Sequence, residues 1–132
     1  GMYTSVETGD CSIRNAFAAN DAVSFGSIIN AYTQPFLLLY NHRKDRGYRM
    51  EAFAKAIRQS AAKPVCIGVI GEHKKACARY MQRATGIRAQ AVERPKEWIQ
   101  AQNVRHVLCA GNIKGEGRQF LEEMIEEARQ NV

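Results

Sequence analysis

No apolar run in this chain approaches the length of about 18–20 residues that a membrane-crossing helix needs, and the N-terminus has no hydrophobic segment of the signal-peptide kind. Paired cysteines are missing too. Cys11, Cys66, Cys77 and Cys109 form no CxxC, and no histidines stand at zinc-ligand spacing, so no metal site is expected. All four read as reduced, structural thiols of a cytoplasmic protein, with Cys66 and Cys109 inside apolar strands as small hydrophobes. The phosphate-binding pattern G-x-x-x-x-G-K-[ST] is absent. Its nearest imitation, Gly68 to Lys74, lacks the spacing. No serine or cysteine nucleophile elbow occurs, and no catalytic residue is assigned. Proline is scarce, and Pro35, Pro64 and Pro95 each mark an element boundary.

What is present is the composition of one globular domain: 132 residues, 45% apolar and 24% charged. Gly1 ahead of Met2 reads as a tag residue. The formal charge of +6 is uneven, because from Glu116 onward five acids face two bases, leaving +9 on the first 115 residues. Such a balance favours anionic partners. Nucleic acid is not expected, since the aromatics occupy core periods and no known nucleic-acid-binding pattern appears.

Residues 1–10 are read as the tag residue followed by a polar arm or edge strand, with residues 11–132 as the domain proper. Cys11–Ala18 reads as the first core strand. Asn20 suits an N-cap with Asp21 in the first helical turn, and Phe25, Ile28, Ile29 and Tyr32 then repeat at helical spacing. Pro35–Asn41 is a continuous apolar strand, the kind buried on both faces at the centre of a parallel sheet. A helix is expected over Gly47–Ser60, a strand over Val65–Ile70 and a helix over Glu72–Ala84 stopped by Gly86. Ile87–Val92 gives a short strand, Pro95 a brief helix, Val104–Ala110 a strand, and Leu121, Met124, Ile125 and Ala128 the buried stripe of a last helix. Strands alternating with helices predict an α/β fold, a single-domain, three-layer Rossmann-like sandwich with a mostly parallel sheet.

In such a sheet, ligands bind outside the carboxyl ends of the strands. Three strand-to-helix loops should converge there: Asn15–Asp21, Asn41–Gly47 and Gly111–Gly117. The second carries Arg43, Lys44, Asp45 and Arg46, and is the leading site candidate. In the third, small residues would let the backbone approach a ligand, and the next helix start favours an anion. His73 and His106 read as structural or surface residues, while His42 adjoins the basic loop.

The segments NAFAANDA, LLLYNHRKDRGYRMEAFA and VLCAGNIKGEG together resemble the C-terminal domain of the Mur ligase superfamily. The nearer likeness is to its capsule-forming branch, the poly-γ-glutamate synthase ligase subunit. The branch's F-A-A-N-D, N-x-R-x-D-R and G-N-x-x-G segments stand here as Phe17–Asp21, Asn41–Arg46 and Gly111–Gly115, and the resemblance runs from about Cys11 to the end. It implies part of an ATP-dependent amide ligase: a carboxylate is phosphorylated by ATP, and an amino acid's amine displaces the phosphate. ATP and magnesium would be held mainly by an N-terminal portion, so this part alone would be inactive.

Carried over residue by residue, the resemblance puts Asn15, Asn20 and Asp21 toward the nucleotide. Arg43, Lys44, Asp45, Arg46 and Arg49 would position a glutamate-like amino acid, and Asn112 and Lys114 would face the same cleft. The usual Mur pattern has aspartate, histidine and proline where this chain has Asn15, Ala19 and Asp21, a departure shared with the capsule branch. The implied partners are the amino acid, the acyl acceptor chain, the N-terminal ATPase portion and membrane subunits, with a cytoplasmic location that such subunits would tie to the membrane. The alternative from the residues alone is a standalone Rossmann-like module that binds an anion or nucleotide without catalysis.

Overall fold

The computed structural model describes residues 4–17, 19 and 21–130. Six strands form one sheet: β1 (Ser5–Glu7), β2 (Ser12–Asn15), β3 (Phe36–His42), β4 (Ile67–Gly71), β5 (Ala89–Ala91) and β6 (His106–Gly111). Five helices join them: α1 (Ala22–Asn30), α2 (Gly47–Gln59), α3 (Lys74–Thr85), α4 (Pro95–Gln102) and α5 (Glu116–Gln130). The strand order is β1-β2-β6-β3-β4-β5. β1 pairs antiparallel with β2 at the edge, and every other pairing is parallel.

All seven residues of β3 are buried, as expected of a strand with helices on both sides. Leu37 and Leu39 pack with Phe120, Leu121, Met124, Trp98 and Ile99, from α5 and α4. Phe36, Leu38 and Tyr40 face the other way, onto Phe25, Ile29, Phe53, Ile57, Cys77 and Met81 of α1, α2 and α3. The sheet therefore lies between a three-helix and a two-helix layer, the sandwich that the alternation predicts. All four cysteines are free and buried. Burial pushes the Cys77 thiol up to about 12 and raises those of Cys109 and Cys11, so none of these three is an activated nucleophile.

Several boundaries differ from the sequence reading. β2 stops at Asn15 because its side chain Oδ1 accepts the Phe17 N–H at 3.1 Å and turns the chain. Cys66 lies just ahead of β4, which begins at Ile67 and runs on to Gly71. α3 starts at Lys74 rather than Glu72 because His73 is left-handed, with φ 53°. Asn103, φ 54°, likewise turns the chain after α4, so β6 begins at His106 rather than Val104.

Asn20 lies outside the described residues. The cap of α1 is Asp21, in extended backbone with its carboxylate accepting the Ser24 N–H at 2.8 Å and the Ser24 hydroxyl at 2.9 Å. Those bonds hold the Asp21 carboxyl below its usual range. The charged cap is thus fully effective above the unfolded carboxyl's pKa of about 3.9, and its contribution is lost as the pH falls through the lower folded value. Asp21→Ala should lower the Tm at neutral pH, and the deficit should shrink in acid. A deficit that grows on acidification would contradict this account of the cap.

Candidate functional site

Because β2, β3, β4 and β6 run parallel, Asn15, His42, Gly71 and Gly111 all end at one edge of the sheet. Asn41 is the joint there. It is 2% exposed, and its side-chain Nδ2 donates to the Asn112 carbonyl at 2.5 Å and the Lys114 carbonyl at 2.8 Å. The Asn112 N–H returns a bond to the Asn41 carbonyl at 3.0 Å. Two glycines make this approach possible. A Cβ on Gly111, whose φ is +94°, would collide with the Asn41 carbonyl, and one on Gly117 would stand 2.5 Å from Asn41 Nδ2. The close backbone approach expected of Gly111–Gly117 is thus made to Asn41, inside the protein.

The basic loop leaves β3 at His42 and makes one 3-10 turn, Lys44–Arg46, before α2. His42 is buried, and its Nδ1 donates to the Glu72 carbonyl at 2.7 Å. Arg43 Nε lies 3.5 Å from Asp45 and 3.7 Å from Glu72, whose carboxylate also accepts the Lys44 N–H at 3.1 Å. Desolvation pushes the Asp45 carboxyl up, but the Arg43 guanidinium and local N–H groups outweigh it and leave the group below its usual range. Arg46, whose charge also acts on Asp45, shares a further partner with Arg49. Hydrogen bonds from Arg49 and Arg46 reach the hydroxyl of Tyr48, which is 65% exposed, and lower its phenol from the ordinary value. Within the five-residue set expected from sequence, Arg43 pairs with Asp45, Arg46 and Arg49 share Tyr48, and Lys44 is exposed.

Asn112 turns the third loop by accepting the Lys114 N–H on Oδ1 at 2.8 Å, which leaves the Lys114 side chain exposed. On the proposed nucleotide side, Asn15 and Asp21 are engaged in the local bonds to Phe17 and Ser24. His106 lies at the opposite edge, bonded to Gln34 at 2.6 Å.

Sequence reasoning missed three parts of this edge: Glu72, Tyr48, and a network around Lys74. Lys74, with a side chain 16% exposed, binds Glu116 at 2.9 Å and Glu93 at 3.3 Å. Glu116 also accepts the Gly71 N–H at 3.0 Å, tying the starts of α3 and α5 together. Burial disfavours the Lys74 charge, but Glu116 and Glu93 more than compensate, and its pKa is raised. These partners lie about 20 to 45 residues apart in the chain, so no local spacing marked them. Among the described residues, no three His, Cys, Asp or Glu side chains come together as metal ligands. A cleft of about 470 Å³, lined by Thr8, Cys11, Asn103 and Arg105 among others, lies at the opposite edge, away from the basic loop.

No curated protein matches this sequence. Among solved structures, the fold is similar to folylpolyglutamate synthase from Thermotoga maritima, with a TM-score of 0.65 and 15% identity. That match covers 95% of this chain and 31% of the synthase, so the chain spans about a third of its length. Over residues 3–127 the sequence matches the family described as the poly-gamma-glutamate synthase CapB C-terminal domain. The three converging loops all fall within that match, and the chain belongs to this family.

Proposed function

We propose that this chain is the substrate- and nucleotide-contacting C-terminal domain of an ATP-dependent, amide-forming ligase of the poly-γ-glutamate synthase type. The observation that carries the reading is the convergence at one sheet edge of all three motif loops, with guanidinium groups on the central one. Arg43 and Arg46 each present a planar fork suited to a carboxylate, and a glutamate-like amino acid supplies carboxylates to bind. Asp45 and Glu72 hold Arg43 in place, while Tyr48 draws Arg46 and Arg49 together. Bound this way, the amino acid's carboxylate is anchored and its amine is free to attack. ATP, held mainly by an N-terminal portion of the same ligase, phosphorylates the acceptor chain's carboxylate with release of ADP, and the amine displaces phosphate from that acyl phosphate. Asn15, Asn20 and Asp21 are assigned to the nucleotide, and Asn112 and Lys114 to the shared cleft.

The course of β1 suits this arrangement. The Asn15 N–H donates to the Thr4 carbonyl at 2.8 Å, so the antiparallel edge strand begins beside the carboxyl edge. No helix among the described residues is long and apolar enough to cross a membrane, and membrane subunits remain part of the proposal.

The chain by itself should fold and hydrolyse no ATP above background, because it carries no G-x-x-x-x-G-K-[ST] loop. Magnesium-dependent hydrolysis that follows the folded chain through purification, and responds to its own point mutations, would overturn the division of labour.

A further inference from the structure

β3 and β4 end side by side. His42 and Gly71 are partners in the register, so Arg43 and Glu72 are the first residues beyond the sheet on each strand. Gly71 is what lets the two strand ends touch. Its φ is +95°, and a Cβ there would meet the His42 carbonyl and the Asn41 side chain. Across this contact the Glu72 N–H donates to the His42 carbonyl at 2.9 Å, and His42 Nδ1 donates to the Glu72 carbonyl at 2.7 Å. A carbonyl only accepts, so the ring carries its proton on Nδ1. Glu72 is thus clasped by both the backbone and the ring of His42. Its carboxylate in turn accepts the Lys44 N–H at 3.1 Å and stands 3.7 Å from Arg43 Nε.

Packing alone does not explain the ring. His42 is 7% exposed, and its Nε2 is buried with no partner. A leucine at the end of β3 would fill the space without burying an unsatisfied nitrogen, which costs folding free energy. What leucine cannot supply is the Nδ1 donor, and local rules are broken in this way where function requires it. We propose that His42 is a positioning residue for the amino-acid subsite: its ring fixes the Glu72 backbone, and Glu72 aims Arg43. The inference rests on the ligase reading and adds to the site the exit loop of β4, which belongs to none of the three motifs. Arg43 Nε is buried against Asp45 and Glu72, yet the side chain as a whole is 31% exposed. The Nε edge is therefore closed, and a substrate carboxylate meets the guanidinium end-on, at Nη1 and Nη2.

The proton on Arg43 Nε reads the clasp directly in the chain alone, its nuclear magnetic resonance signal assigned by its loss in Arg43→Lys. His42→Leu and Glu72→Ala should each speed its exchange with solvent at least about tenfold. His42→Asn, whose amide can donate to the same carbonyl, should keep most of the protection. The Tm of His42→Leu should not fall, since the substitution also removes the unpartnered nitrogen. In the intact ligase, His42→Leu should raise the KM for the incoming amino acid about three- to tenfold, with kcat and the ATP dependence little changed. His42→Asn should recover most of that loss. Added to Arg43→Ala, His42→Leu should cost nothing more, because the ring acts only through that guanidinium. Unchanged Nε exchange in His42→Leu, a lower Tm with unchanged KM per folded molecule, or a KM loss that adds to that of Arg43→Ala would each overturn the positioning role. An intact protein that forms no amide bond would overturn the ligase reading, and the exchange measurement would still decide whether His42 and Glu72 hold Arg43.

Discussion

Asn41→Ala should remove about 2–4 kcal/mol of folding stability and release the Asn112–Lys114 turn from the sheet. The wild-type amide is buried and satisfies two carbonyls from a loop some 70 residues away. Removing it leaves both carbonyls without this donor at a part-buried joint, at up to about 1–3 kcal/mol for each group left unsatisfied. The backbone bond from Asn112 to Asn41 survives, which keeps the expected loss below the sum. Asn41→Asp should be no better. A carboxylate cannot donate, and it would face two carbonyl oxygens. Chemical denaturation measures the stability loss, and hydrogen exchange at residues 112–117 shows whether the opening is local. A loss below about 1 kcal/mol in Asn41→Ala, with exchange unchanged, would mean that the joint lies elsewhere.

The second large effect belongs to the guanidinium groups. In the intact ligase, Arg43→Ala or Arg46→Ala should weaken productive use of the incoming amino acid about ten- to hundredfold, with little change in the ATP dependence. A hydrogen bond to a charged group contributes about 1.5–3 kcal/mol, and about 1.4 kcal/mol is a factor of ten. Lysine should rescue only in part, because a point charge does not reproduce a planar fork. The geometry sharpens the competing account. Arg43 lies between Asp45 and Glu72, and Arg46 shares Tyr48 with Arg49, so either residue could serve only to shape its loop. A purely structural role predicts lower Tm for the alanine variants and unchanged kinetics per folded molecule. Steady-state kinetics with amino acid and ATP varied separately decide between them. An unchanged amino-acid dependence would remove both residues from the substrate site.

Most of the architecture was legible because it depends on local patterns. The run Phe36 to Tyr40 implied a strand covered on both faces, since a continuous apolar stretch has no polar side to give to water. The helices announced themselves through period, with Phe25 and Ile29, Phe53 and Ile57, and Leu121 and Met124 turning toward the sheet. Errors of one or two residues at their ends came from side chains and backbone angles that periodicity does not encode. Asp21 took the cap because its carboxylate reaches Ser24, and His73 delayed α3 by going left-handed.

By itself, then, the sequence determined the alternation of elements, the burial of β3 and the placement of the basic loop at that strand's exit. It also carried the three ordered motifs. Only the tertiary structure decided that β6 lies between β2 and β3, so that the last strand-to-helix loop meets Asn41 rather than the sheet margin. It alone put Glu72 against Arg43 and Lys74 between Glu93 and Glu116. The physical reason is range. Periodicity and capping act over a few residues along the chain, whereas strand order, ion pairs and the balance of a charged surface depend on which distant segments packing brings together.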